Sequence, residues 1–359
     1  MGRTESGEKK WQIAMAASIM TCLAVIIGIM LAYSDNIKKS KDNDEKKYNV
    51  ISIGFSQVGA ESGWRTGNSI SMKNTFSSKK GYDLIFNDAQ QQQEKQIKAI
   101  RSFIQQGVDY IILAPVVETG WDTVLQEAKA AKIPVIIEDR RVEVEDDSLY
   151  ATWVGADFYM EGQKACNWLE RYAEGKNRKS LNIVHIMGTE GATAQVGRTK
   201  ALKEAAAKNG WTILGEENGE FTQAKGQEVM KRFLQQYKDI DVVYCDNDNE
   251  ALGAVTAIKE AGKTLGPEGI TVVSFDATKE GLQAVKNGEI GVDIECNPDF
   301  GEKIERVIKL LEHGEKVEKE YYISDKVFAK NTDIGEIAVG KSRWEVVAVT
   351  DQIIEGRVY

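Results

Sequence analysis

Residues 61–65, in the stretch FSQVGAESGWR, set an acid, a hydroxyl, a glycine, an aromatic plate and a guanidinium side by side: Glu61, Ser62, Gly63, Trp64 and Arg65. The apolar run 50–55 before them reads as a buried strand, and Ile70, Met72 and Phe76 after them repeat at helical spacing. A loop at the carboxyl end of the first strand of an open α/β sheet is where such folds hold ligands. This set of groups suits a small polyol, since an aromatic ring covers its C–H face and charged groups hold its hydroxyls. The same stretch also reads as a polar strand-to-helix turn, with Trp64 in the core and Arg65 in a surface pair.

Further polar groups follow strand-like runs along the chain: Asn87-Asp88, Asp139-Arg140-Arg141, Asp246-Asn247-Asp248, Asp276 and Glu295, with Arg198 inside a helical stretch and Phe221 in a loop. Asp88 and Asp248 are expected mainly as helix N-caps, the usual use of such residues there. Asp139 and Arg140 are different, because the apolar run 134–137 feeds an acid and a guanidinium straight off a sheet. Arginine forks two hydrogen bonds to neighbouring oxygens and aspartate accepts from two hydroxyls. A cleft closing on such groups excludes water, which penalises any ligand that leaves one bond unmade.

Catalysis has little support. The chain has 2 histidines: His185 sits within a strand-like run and His313 at a helix end. No nucleophile elbow, HExxH or P-loop occurs, and the glycines of 59–67 form no GxGxxG fingerprint. Asp139 and Asp276 could imitate the two carboxylates of a glycosidase, but arginine neighbours would hold an aspartate ionised, which is wrong for a general acid. Cys166, Cys245 and Cys296 lack the spacing of a zinc site. They read as small buried hydrophobes, with a Cys245–Cys296 disulfide left open. The reading is therefore of a binding protein, not an enzyme, with no metal or cofactor.

The elements that must position these residues alternate regularly. From residue 48 on, short apolar runs (84–86, 109–114, 134–137, 149–154, 181–187, 211–214, 241–245, 270–275, 291–295) are separated by amphipathic helical stretches. That is the pattern of mostly parallel sheets covered on both faces, and its restart near residue 150 implies two similar lobes. At 359 residues the chain exceeds one typical domain. Its net charge of -9 argues against non-specific nucleic-acid binding. Residues 1–10 carry Arg3, Lys9 and Lys10, and residues 11–33 hold no charge. This is long enough for a helix of about 20 residues across a bilayer. An uncleaved anchor is favoured over a signal peptide, whose apolar region runs ~7–15 residues. The charged stretch 34–47 reads as a tether outside the membrane.

With these residues laid out, the chain resembles the ribose/galactofuranose branch of the bacterial type I solute-binding proteins. The resemblance runs from about residue 48 to 315. It is most specific in GFSQVGAESGWR and DAQQQQEKQIKAIRSFIQQGVDYIILAPVVETGW. It implies two doubly wound α/β lobes joined by a three-segment hinge: residues 48–153 with about 298–325 in lobe 1, and 154–297 with part of 326–359 in lobe 2. It also implies one monosaccharide in the cleft, with galactofuranose first and then galactose, arabinose or ribose. Carried over by position, the sugar contacts would be Glu61, Ser62, Gly63, Trp64, Arg65, Asp139, Arg140, Arg198, Phe221, Asn247, Asp276 and Glu295. The expected partners are permease subunits of an ABC importer, with the protein a monomer on the extracytoplasmic face. The alternative partner is a sensor kinase. A related repressor would need a helix-turn-helix where the apolar span lies. The tail 321–359 matches the family poorly.

Overall fold

The structure is a computed structural model that describes residues 28, 30 and 50–359. Residues 51–359 form one compact unit. The basic N-terminal region, nearly all of the apolar span and the tether lie outside the described residues. Among the described residues no helix is long and apolar enough to cross a membrane.

Two sheets organise the unit. The first contains β1 (Ile51–Gln57), β2 (Tyr82–Asp88), β3 (Tyr110–Leu113), β4 (Val135–Glu138), β5 (Thr152–Gly155) and β11 (Glu320–Tyr322), in the order β11-β5-β4-β3-β1-β2. All its neighbours are parallel. It is served by α1 (Gly63–Thr75), α2 (Gln93–Gln106), α3 (Asp122–Ala130) and α9 (Gly301–Glu312). The second contains β6 (Asn182–Met187), β7 (Thr212–Asn218), β8 (Val242–Cys245), β9 (Thr271–Asp276), β10 (Val292–Glu295), β12 (Val327–Ala329), β13 (Glu336–Val339) and β14 (Ser342–Ala348). Their order is β13-β14-β12-β10-β9-β8-β6-β7. Only β10–β12 and β13–β14 are antiparallel. Its helices are α4 (Phe158–Gly175), α5 (Thr193–Asn209), α6 (Gln223–Gln236), α7 (Asp248–Glu260), α8 (Lys279–Asn287) and α10 (Asp351–Glu355).

Strands β3, β4 and β8 are buried at every residue. Helices cover both faces of a parallel sheet, so such strands read as unbroken apolar runs. The chain passes between the sheets three times, after β5, after β10 and after β11, which is the three-segment connection expected.

Several local expectations need correction. The run 149–154 is not one strand. Asp146 caps a short turn by accepting from Ser148 N, and β5 begins only at Thr152. The strand expected at 211–214 runs on to Asn218, its polar residues lying on a half-buried edge. Asp88 does not cap α2. Its carboxylate accepts from Gln90 N at 2.8 Å, the chain turns left-handed at Gln90 and Gln91, and the helix starts later. Asp248 lies inside α7; Asn247 is the cap and accepts from Glu250 N at 2.9 Å. Cys166, Cys245 and Cys296 are buried free thiols, so no Cys245–Cys296 disulfide is formed.

Candidate functional site

The loops after β1 and β4 in the first sheet face the loops after β7, β8 and β9 and the start of α5 in the second. Between them lies a narrow polar cavity, partly open to solvent. It is lined by Glu61, Ser62, Trp64, Arg65, Asp139, Arg140, Arg198, Phe221, Asn247 and Asp276 from the sequence reading, and also by Phe158, Ala194 and Cys296.

On the first-sheet side, Ser62 caps α1 by accepting from Arg65 N at 3.1 Å, which starts the helix and aims Trp64 and Arg65. Arg65 donates Nε to Glu61 at 3.0 Å and Nη2 to Asp139 at 2.6 Å. Arg140 donates to Glu61 at 3.3 Å and to the Val116 carbonyl at 2.9 Å. Burial alone would lower the Arg65 pKa, but Asp139, Glu61 and Glu138 outweigh it and raise it. Arg140 is lowered, by burial first and then by the charge of Arg65. Glu61 Oε2 and Arg65 Nη1 are buried with no partner in the protein. An acceptor and a donor therefore stand ready at the cavity, and a buried polar group left unmade costs about 1–3 kcal/mol. Trp64 is only 4 % exposed. Its indole N–H donates to the Cys296 carbonyl at 2.5 Å, in the second crossing between sheets.

On the other side, Arg198 donates to Glu161 Oε2 from Nε at 2.9 Å and from Nη2 at 2.7 Å, and to the Asp246 carbonyl. Asn247 donates to the Phe221 carbonyl at 3.2 Å. Phe221 in turn lies under the Arg140 guanidinium, 5.2 Å from ring centre to carbon. Burial pushes the Asp276 carboxyl well above the usual range, and Arg198 pulls it back only in part. The shift is opposite in direction to the one Arg198 alone would give, because burial is the larger effect. Asp139, Phe221 and Asp276 all hold positive φ, at 61°, 58° and 106°. Backbone strain of this kind in non-glycine residues gathers at functional sites.

The lobes meet at the rim as well. Gly63 N donates to Asn249 at 3.3 Å, Arg141 N to Thr193 at 2.7 Å, and Glu118 N to the Gly191 carbonyl at 3.2 Å. Two expected contacts do not line the cavity. Gly63 is taken up by this rim bond. Glu295 accepts from Lys326 N at 3.0 Å and pairs with Arg357 at 2.5 Å, so its carboxylate is committed to the crossings and the tail. Phe158 opens an ordinary amphipathic helix and Ala194 an alanine-rich one, so neither stands out in the sequence. The signal for Phe158 was Asp157, an N-cap placed directly after a crossing.

His185, fully buried, supports this side from below. Its Nε2 is 3.0 Å from Asp246 and its Nδ1 3.2 Å from Glu216. Burial pushes its pKa down, but the two carboxylates outweigh burial and bring it up to about 8. A histidine raised from 6.5 to about 8 on folding stabilises the protein fully below pH 6.5, and that stability is lost as pH rises through 8. The amount is on the order of 2 kcal/mol. Glu138, pushed up to about 8 by burial and then by Asp139, adds a slope of the same sign. Urea unfolding from pH 6 to 9 should show this decline. His185→Gln should make it shallower, and an unchanged slope would remove His185 as its source.

Two facing α/β lobes, three crossings and a polar cavity at the carboxyl ends of the strands are the architecture of a solute-binding protein. The family description "Periplasmic binding protein domain" matches residues 53–295, and the chain belongs to this family, whose members bind substrates and do not transform them. It is 42 % identical over 275 residues to the galactofuranose-binding protein YtfQ of Escherichia coli, covering 75 % of this chain and 85 % of that protein. It is 29 % identical to the ribose import binding protein RbsB of Bacillus subtilis, over 68 % of this chain and 76 % of that one. Among solved structures, a Mycobacterium smegmatis protein in complex with β-D-fucofuranose is 44 % identical with a TM-score of 0.74, covering 78 % of this chain and 91 % of that one. A Shewanella arabinose-transporter binding protein bound to L-arabinofuranose is 45 % identical with a TM-score of 0.73, covering 77 % and 91 %.

Proposed function

We propose that this protein is the extracytoplasmic binding subunit of a sugar ABC importer. It holds one neutral monosaccharide of the galactofuranose class between its lobes and delivers it to the permease. The observation that carries this reading is the cavity itself. Arg65 and Arg140 are balanced by Glu61 and Asp139, and Arg198 by Glu161, so no surplus charge awaits an anion. Glu61 Oε2 and Arg65 Nη1 offer an acceptor and a donor for sugar hydroxyls. Trp64, Phe158 and Phe221 supply apolar surface for the C–H faces. The furanose-bound relatives favour a five-membered ring.

In this proposal residues 48–153 with 298–325 make one lobe, and 154–297 with the tail the other. The protein acts as a monomer held at the membrane by residues 11–33. Calorimetry with L-arabinose, D-galactose, D-fucose, D-ribose and D-galacturonate tests the sugar reading. The expected result is 1:1 binding of at least one neutral sugar and none of the uronate. Silence with every neutral sugar contradicts it. Trp64→Ala should weaken that binding by ~1 kcal/mol or more, through lost ring contact and a freed Cys296 carbonyl. Unchanged affinity would take Trp64 out of the site.

A further inference from the structure

Beside Arg198, and outside the cavity lining, lies an ionic cluster of which the sugar-binding reading uses only Glu161, as the counter-charge of Arg198. Glu161 and Lys164 sit three residues apart on α4, so they share one face of the helix. Both are almost wholly buried, at 0 % and 3 % exposed. Glu161 grips Arg198 through one carboxylate oxygen, and its other oxygen, Oε1, has no partner in the protein. Lys164 Nζ lies 3.7 Å from Asp325 Oδ2 and 3.5 Å from the Asp325 carbonyl. Asp325 belongs to the segment between β11 and β12, the third crossing between the lobes. Burial pushes the Glu161 carboxyl up, while Arg198, Lys164 and the Cys296 thiol pull it back. Cys296 lies in the second crossing, and Glu161 itself is one turn into the helix that follows the first. Lys164 is also stacked 4.9 Å from the Trp344 ring, on the hairpin of β13 and β14.

Two buried charges one turn apart on α4, with no direct ion pair between them, therefore touch a cavity-lining arginine through Glu161 and the third crossing through Lys164. When two lobes rotate, the crossings are where backbone angles change. Contacts to Asp325 and Cys296 must change with them. A buried charge that loses its partner is costly, about 3–5 kcal/mol where such pairs are broken. The cluster thus has good geometry only over a narrow range of lobe angles.

We propose that Glu161 and Lys164 are positioning residues that couple the aim of Arg198 to the angle between the lobes, through Asp325 in the third crossing. The proposal rests on the sugar-binding reading for its ligand arm, but its mechanical arm does not. Neither Lys164 nor Asp325 lines the cavity, so a purely local role would lower the melting temperature and leave affinity untouched.

The test uses Lys164→Met, Asp325→Asn and Glu161→Gln in the full chain, with the sugar that wild type binds most tightly. Lys164→Met and Asp325→Asn are expected to weaken binding about tenfold, mostly through faster release, a coupling of ordinary size. The double variant should lose little more than either single one, because the two act as a unit. Small-angle scattering of the ligand-free variants should show a radius of gyration shifted from that of wild type. Asp325→Asn keeps the side-chain shape, so it stands in if Lys164→Met fails to fold. Wild-type affinity together with an unchanged radius in folded Asp325→Asn would overturn the coupling. If wild type itself binds no neutral sugar, the functional reading fails, and the scattering comparison alone decides the coupling.

Discussion

Asp139→Asn is expected to cost at least a hundredfold in sugar affinity while leaving a folded protein. The side chain is 3 % exposed and carries the Arg65 guanidinium at 2.6 Å, with Arg140 Nε at 3.9 Å. Asparagine keeps its shape and tolerates the positive φ of 61° found here. What it removes is the charge that holds two arginines at the cavity wall. Hydrogen bonds to charged groups contribute about 1.5–3 kcal/mol each, and a hundredfold is about 2.7 kcal/mol. Arg65 would then turn toward Glu61, which Arg140 also uses, so both guanidiniums lose their aim. Calorimetry on the variant checks this. Affinity within a few-fold of wild type would mean that the acid–arginine cluster is a structural feature and not a grip on the ligand.

The largest effect on stability is expected where two helices of the second sheet meet. Helices α6 and α7 cross at Gly226 and Gly253. A Cβ on Gly253 would stand 2.2 Å from the Gln223 carbonyl oxygen and 2.6 Å from Gln227 N, both backbone atoms of α6. No side chain can swing aside to relieve this, so the helices must separate. Gly253→Ala should therefore destabilise by about 3 kcal/mol, the upper end for overpacked cores, and lower the melting temperature by roughly 5 °C. A melting temperature within a degree of wild type would show that the crossing has slack.

Much of this was legible in the sequence, for identifiable reasons. Parallel strands buried on both faces leave unbroken apolar runs, and β3, β4 and β8 stand where those runs do. Glu61, Ser62, Trp64, Arg65, Asp139 and Arg140 lie together because each directly follows a buried strand at the same edge of the first sheet. Other features depend on three dimensions. Glu295 follows its strand just as Asp276 does, and only the tail shows that Arg357 claims its carboxylate. Asp88 looked like a cap because the left-handed Gln90–Gln91 turn leaves no mark in composition. Glu161 and Lys164 read as an ordinary charged pair on an amphipathic helix. Their burial follows from a crossing 161 residues away in sequence from Lys164. The raised carboxyl of Asp276 was also hidden, because arginine neighbours argue for ionisation until burial is known.

In the proposed function the lobes enclose a sugar among these side chains. The most direct test is a crystal structure of wild type grown with the neutral sugar that calorimetry selects. One sugar is expected between the lobes, with a hydroxyl on Glu61 Oε2 and Arg65 Nη1 and its far side against Asn247, Asp276 and Phe221. A sugar lodged on an outer face, with those two atoms still unpartnered, would contradict it.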